Sequence, residues 1–136
     1  MKTRKSFGQH LLTDKNHLET IVSLIDLKNH DTVLEIGSGS GILTVPLGLV
    51  AKKIFAVEPE RDILKELKEN IKKNNLSNVE VIEKSFLKLD LNQISNKPFK
   101  VVGNIPYNLT SKILIKLFGE IDEIPEHLKY IDEVFL

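Results

Sequence analysis

Three short groups of residues have the types and spacing that chemistry needs: Glu35-Ile36-Gly37-Ser38-Gly39-Ser40-Gly41, the single acid Glu58, and Asn104-Ile105-Pro106-Tyr107. Glycines let the backbone turn sharply and approach a ligand closely, where any side chain would collide. An acid about twenty residues further on, closing the next strand, can accept hydrogen bonds from both hydroxyls of a ribose. Together the first two groups suit a cofactor that carries a nucleoside. A glycine-rich turn alone is a common way to reverse a chain, but strand, glycines, helix and acid in that order are not.

Glycine spacing then separates the cofactors. The nicotinamide fingerprint G-x-G-x-x-G needs its third glycine at position 42, which is Ile42. Here the glycines alternate as G-x-G-x-G, with Glu35 two places before the first. That pattern resembles the first motif of S-adenosylmethionine-dependent methyltransferases. Such a cofactor has no pyrophosphate, so the loop is expected to wrap its methionine part and ribose.

The third group suits one reaction in particular. An adenine exocyclic nitrogen is a poor nucleophile because its lone pair is delocalised into the ring. The Asn104 side-chain oxygen and the Ile105 carbonyl can both accept hydrogen bonds from that amino group and direct its lone pair outward. With a sulfonium methyl as electrophile, in-line displacement then needs mainly proximity and alignment. Pro106 restricts the backbone so that the carbonyl keeps one direction. Tyr107 offers a face on which an extruded base can stack, worth about 1–3 kcal/mol. Asn, Pro and Tyr also occur in ordinary turns; their place after a strand, downstream of the glycine loop, favours the functional reading.

The elements that must position these groups follow from hydrophobic periodicity. Thr13 or Asp14 can cap a helix in which Leu18, Ile21, Val22 and Ile25 recur at helical spacing. Thr32 to Ile36 reads as a buried strand, and Gly41 to Val50 as a helix that tolerates Pro46 only in its first turn. Lys53 to Val57 is a second strand. Arg61 to Asn74 is an amphipathic helix with Ile63, Leu67 and Ile71 on one face. Val79 to Ile82 and Phe99 to Val102 are further strands, Ser111 to Leu117 a short helix, and Tyr130 to Leu136 the opening of another strand. Strands alternating with helices imply a parallel sheet with crossover helices, which puts the loops after the strands on one rim. The expected fold is α/β: a Rossmann-like, mostly parallel sheet with flanking helices.

Composition narrows the classes. With 136 residues, 41% of them hydrophobic, the chain can form one domain with its own core. Nineteen basic residues balance nineteen acidic ones, so no strongly cationic nucleic-acid surface is expected, although Lys2, Arg4 and Lys5 could touch phosphate. The absence of cysteine excludes disulfides and thiolate chemistry, and four scattered histidines make no metal-ligand cluster. No apolar run approaches a membrane span, so a cytoplasmic protein is expected, working as a monomer without metal. An ending on an apolar, strand-like run suggests a fragment of a longer chain.

Lys5-Ser6-Phe7-Gly8-Gln9-His10-Leu11-Leu12 resembles the opening motif of the ribosomal RNA adenine dimethyltransferase family. That family includes the small-subunit dimethyladenosine transferases and the erythromycin-resistance methyltransferases. The glycine loop, Glu58 and Asn104 to Tyr107 resemble its later motifs in the same order, over nearly the whole chain. The resemblance implies an S-adenosylmethionine-binding catalytic domain over residues 1–136, acting on ribosomal RNA of the small subunit. It implies that Gln9, His10 and Leu12 border the cofactor, that Gly37 and Gly39 lie against its methionine part, and that Glu58 holds the ribose. Ser85 and Phe86 would border the adenine, and Asn104 would sit between cofactor and target amine. Two residues depart from the pattern: His10 stands where the family usually has Asn, and Ser85 where it usually has Asp. A neutral hydroxyl at Ser85 should weaken adenine binding by about 1 kcal/mol. The family also carries further strands and a helical RNA-gripping domain that this chain lacks, so the chain alone is expected to bind cofactor poorly and methylate RNA little.

Other readings compete. DNA adenine or a protein glutamine amide could be the acceptor, since both use N-P-P-Y-like loops, but Ile105 and the Phe7-Gly8-Gln9 segment favour ribosomal RNA. A large-subunit target conferring macrolide resistance is an alternative. So is a non-catalytic assembly factor on the same scaffold, which intact Asn104 and Tyr107 oppose. A nicotinamide dehydrogenase fits least.

Overall fold

In the computed structural model the described residues are 15–95, 97–103, 110–118 and 131–135. The opening motif with Gln9, His10 and Leu12, the basic start, the caps Thr13 and Asp14, and Asn104 to Tyr107 lie outside them. In chain order the elements are α1 (Lys15–Ile25), β1 (Thr32–Ile36), α2 (Thr44–Gly48), β2 (Lys53–Val57), α3 (Arg61–Lys73) and β3 (Val79–Ile82). Two single-turn 3-10 helices follow, Phe86–Lys88 and Leu91–Gln93, then β4 (Phe99–Gly103), α4 (Thr110–Phe118) and β5 (Ile131–Phe135).

The five strands form one sheet in the order β3-β2-β1-β4-β5, and every pairing is parallel. Parallel neighbours need crossover connections, which cover both faces of the sheet and leave its strands apolar on both sides. Strand alternation sorts the core accordingly. Val33, Ile54, Ala56 and Val102 pack on one face with Ile25, Leu43, Leu47, Leu64 and Leu67. Leu34, Ile36, Val57, Phe99 and Val101 pack on the other with Phe86, Leu89, Leu91, Ile94, Ile113 and Leu117. Thus α1, α2 and α3 cover the first face, and α4 with the two 3-10 turns covers the second.

Most expected elements stand within a residue or two of the sequence reading, and three need correction. The helix expected from Gly41 to Val50 spans only Thr44–Gly48, because three consecutive odd-numbered residues of the preceding loop take left-handed backbone; Pro46 does fall in its first turn. The buried face of α3 is centred on Leu64 and Leu67, while Ile63 and Ile71 are only half-buried. The stretch between β3 and β4, given no element by periodicity, folds as the two short turns that supply Phe86, Leu89, Leu91 and Ile94 to the core. Among the described residues, no helix is long and apolar enough to cross a membrane.

Candidate functional site at the carboxyl rim of the sheet

The parallel register brings the carboxyl ends of the central strands side by side. Ile36 pairs with Val57 on one flank and with Gly103 on the other. The glycine loop therefore leaves β1 between the end of β2, which leads to Glu58, and the end of β4, which leads to Asn104.

Backbone conformation explains the glycines. Gly37, Gly39 and Gly41 have φ of 69°, 57° and 98°, a region that costs other residues strain. The Gly37 and Ser38 amides both donate to the Val57 carbonyl, at 2.9 and 3.1 Å, and stitch the loop to the end of β2. Gly41 N–H closes a turn on the Ser38 carbonyl at 3.1 Å. From α3, the Asn70 side-chain amide donates to the Ser40 carbonyl at 2.7 Å. A Cβ on Gly41 would stand 3.0 Å from Leu67 Cδ1, whereas one on Gly39 would meet nothing within 4 Å. The loop is thus anchored against α3 at Gly41 and bordered by open space at Gly39.

Two buried carboxylates face this loop. Glu58, only 5% exposed, accepts from the Gly39 amide through Oε1 at 2.9 Å and from its near neighbour Glu60 through Oε2 at 3.1 Å. Each oxygen has a second lone pair, so the carboxylate is fixed in place with acceptor capacity to spare. Glu35 is 2% exposed on β1 and accepts a short hydrogen bond from the Thr44 hydroxyl in the first turn of α2. Burial pushes its pKa up to about 7. The Thr44 and Ser38 hydroxyls oppose that rise, and the charge of Glu58 adds to it. Ser38 Oγ is itself buried and makes no hydrogen bond of normal geometry, so Thr44 is the partner that counts. Among the described residues, neither Glu35 nor Glu58 has an ion-pair partner.

The adenine-side candidates lie beyond β3. Glu58 N–H donates to the Ile82 carbonyl at 3.1 Å, which ties the acid to the end of that strand. Ser85 is half-buried and opens the Phe86–Lys88 turn, with its carbonyl accepting from Lys88 N–H at 3.0 Å. Phe86 is buried in the core beneath this turn.

The structure thus brings Gly37, Gly39 and Glu58 together and sets Ser85 and Phe86 at the end of the neighbouring strand. Sequence reasoning gave no role to Thr44 or Asn70, and took Glu35 only as part of a pattern. Asn70 had a usable signal: a short amide on α3, three residues after the buried Leu67. The signal at Glu35 was a charged residue inside an apolar strand.

One family model and several known proteins resemble this chain. The family model described as ribosomal RNA adenine dimethylase matches residues 1–132. The ribosomal RNA small subunit methyltransferase A of Picosynechococcus sp. is 41% identical over 128 residues, covering 90% of this chain and 46% of the relative. The chain thus spans less than half the length of such relatives. A dimethyladenosine transferase from Plasmodium falciparum superposes with a TM-score of 0.69 at 31% identity, covering 85% of this chain and 40% of that one. The 23S rRNA methyltransferase ErmE superposes with a TM-score of 0.72 at 30% identity, over 90% and 45% of the two chains.

Proposed function

Since this chain belongs to the ribosomal RNA adenine dimethylase family, we propose that it is the S-adenosylmethionine-binding part of an enzyme that methylates adenine N6 in small-subunit ribosomal RNA. The observation that carries the reading is Glu58: a buried carboxylate with no cation beside it among the described residues, held by the Gly39 amide at the mouth of a three-glycine loop. Such a group accepts hydrogen bonds and has little other use at a rim.

The residues fit the cofactor. Glu58 takes the two ribose hydroxyls, while Gly37 and Gly39 let the methionine part lie against the backbone in the open space beside Gly39. Ser85 accepts from the adenine amino group, with Phe86 bordering the ring through its backbone, and Gln9, His10 and Leu12 close over the ligand from the N-terminal segment. S-Adenosylmethionine supplies an electrophilic methyl group on a positively charged sulfur.

Asn104 and the Ile105 carbonyl accept the two hydrogens of the target amine and aim its lone pair. Pro106 keeps that carbonyl in one direction, and Tyr107 stacks on the extruded base. The β4–β1 pairing supports this arrangement, because Asn104 is the next residue after Gly103, the partner of Ile36. When bound, the cofactor would supply the methyl carbon and keep the carbon–sulfur electron pair, and the methylated amine held by Asn104 and the Ile105 carbonyl would lose one proton to solvent. Small-subunit RNA, in the cytoplasm where ribosomes mature, is favoured by the names of the curated relatives; the superposition on ErmE keeps large-subunit RNA as the second reading.

The test offers this chain labelled S-adenosylmethionine with small and large ribosomal subunits lacking adenine methylation. Cofactor binding, with any label entering small-subunit adenines only, supports the proposal, and Asn104→Ala should abolish transfer while leaving binding intact. Label in large-subunit RNA alone would move the assignment to the second reading, and no cofactor binding at all would end both.

A further inference from the structure

Lys116 lies in the last turn of α4, and neither the motifs nor the cofactor reading gives it a role. It sits in Lys112-Ile113-Leu114-Ile115-Lys116-Leu117-Phe118, where Ile113 and Leu117 enter the core. Its ammonium is half-buried and donates short hydrogen bonds to two backbone carbonyls, those of Phe86 and Leu89. It also stands 4.9 Å from the centre of the Phe86 ring, a favourable placement for a cation over an aromatic face. Both carbonyls belong to the turn that begins immediately after Ser85. Within the turn itself the described hydrogen bonds are those of the Lys88 amide to the Ser85 carbonyl and of the Leu89 amide to the Phe86 carbonyl, and Ser85 makes no side-chain cap.

Helix α4 is also the element into which the chain runs after Asn104 to Tyr107. One side chain therefore links the helix that follows the acceptor loop to the turn that follows the donor-side residue Ser85. A lysine placed only to solubilise α4 would point outward; this one turns inward, and burial lowers its pKa despite the opposing charge of Asp90.

We infer that Lys116 is a positioning residue: by clamping the Phe86 and Leu89 carbonyls it holds Ser85 at the adenine end of the cofactor pocket, in register with the helix that carries the acceptor loop. The inference rests on the reading of the rim as an S-adenosylmethionine site. It makes Lys116 a determinant of how sharply the pocket distinguishes a 6-amino purine from one with hydrogen at that carbon, because the Ser85 hydroxyl can accept from the amino group only if its turn is held, and the hydrogen analogue offers it no partner.

The experiment titrates the chain with S-adenosylhomocysteine and with its deamino counterpart, in which hydrogen replaces the purine 6-amino group, for the wild type and for Lys116→Met, Lys116→Gln and Lys116→Arg. Thermal unfolding is recorded for each variant. Wild type should prefer the adenosyl ligand. Lys116→Met should bind that ligand about fivefold to tenfold more weakly, bind the deamino ligand nearly as before, and so lose the preference. Lys116→Arg should restore most of the preference, and Lys116→Gln should fall between.

Weakening of both ligands by the same factor, or an unchanged preference in a folded Lys116→Met, overturns the inference while leaving the cofactor site standing. So does a wild type that binds both ligands equally. If all three variants fail to fold, Lys116 is a stability residue and the inference is rejected. A wild type that binds neither ligand removes the cofactor reading itself.

Discussion

The two ends of the sheet treat buried charge in opposite ways. At the amino edge, Lys100 of β4 reaches Asp31 just before β1, with 3.1 Å between Nζ and Oδ2 and both side chains about nine-tenths buried. The Asp31 carboxylate also accepts from Lys28 N–H at 2.8 Å. Burial raises its pKa, but these donors and the Lys100 charge outweigh that and hold it below the usual range. At the carboxyl edge, Glu35 and Glu58 are buried with no cation among the described residues, where a hydroxyl and two amides hold them. Charge is neutralised where the sheet needs only to cohere, and left as spare acceptor capacity where a ligand rich in donors is to bind. A buried pair costs a good deal to break because the surviving charge has no partner, whereas a lone buried acid is tolerated only with its pKa shifted or its hydrogen bonds supplied.

Substitutions can break this contrast, and the largest effect is expected at the amino edge. Lys100→Met strands Asp31 and should lower stability in urea by about 3–5 kcal/mol, with cofactor affinity of the folded fraction unchanged. Glu58→Ala should do the reverse: cofactor binding falls roughly a hundredfold, as two hydrogen bonds to a charged acceptor are lost, with a smaller change in melting temperature. If the two variants showed the same pattern, the functional division of the sheet would be wrong. Gly41→Ala should affect both properties, because a Cβ at φ of 98° meets Leu67 at 3.0 Å; a loss of about 2 kcal/mol is expected from backbone strain and crowding.

The pH dependence sharpens the same contrast. Glu35 has its pKa raised from 4.5 to about 7, so the folded state holds a proton that the unfolded chain releases over that interval. Stability should therefore fall as pH rises from the unfolded value through 7, by roughly 1 kcal/mol between about pH 6 and pH 8. Glu35→Gln, which keeps an oxygen for the Thr44 hydroxyl, should flatten this slope. Asp31 has the opposite sign: its lowered pKa gives stability that is present above the unfolded value and lost as pH falls through the folded one. Lys100→Met should blunt that acid limb and leave the neutral one unchanged. Stability followed by urea unfolding across pH checks both signs. The smallest effect is expected from Asn70→Ala, about 1 kcal/mol for one hydrogen bond to the Ser40 carbonyl.

Much of this organisation was legible in the sequence because it is local. Strands such as Thr32–Ile36 and Lys53–Val57 announce themselves as short apolar runs that end at glycine or acid, and the sheet buries both faces of each. The glycine loop was legible for a related reason: its residues are forced by backbone angles that few side chains accept. What was hidden depends on contacts between distant segments. Asn70 meets Ser40 across thirty positions and Lys100 meets Asp31 across sixty-nine, and no periodicity carries such pairs. The turns at Phe86 and Leu91 were hidden because a single 3-10 turn has no repeat to detect.

The most direct measurement is a residue-by-residue map of amide signals in a nitrogen-labelled chain titrated with S-adenosylmethionine. Shifts are expected at Gly37, Gly39, Glu58, Glu60 and Ser85, with none at Asp31, Lys53 or Lys100. Shifts concentrated at that second set, or a saturating titration that leaves Gly39 and Glu58 unmoved, would contradict a cofactor site at the carboxyl rim.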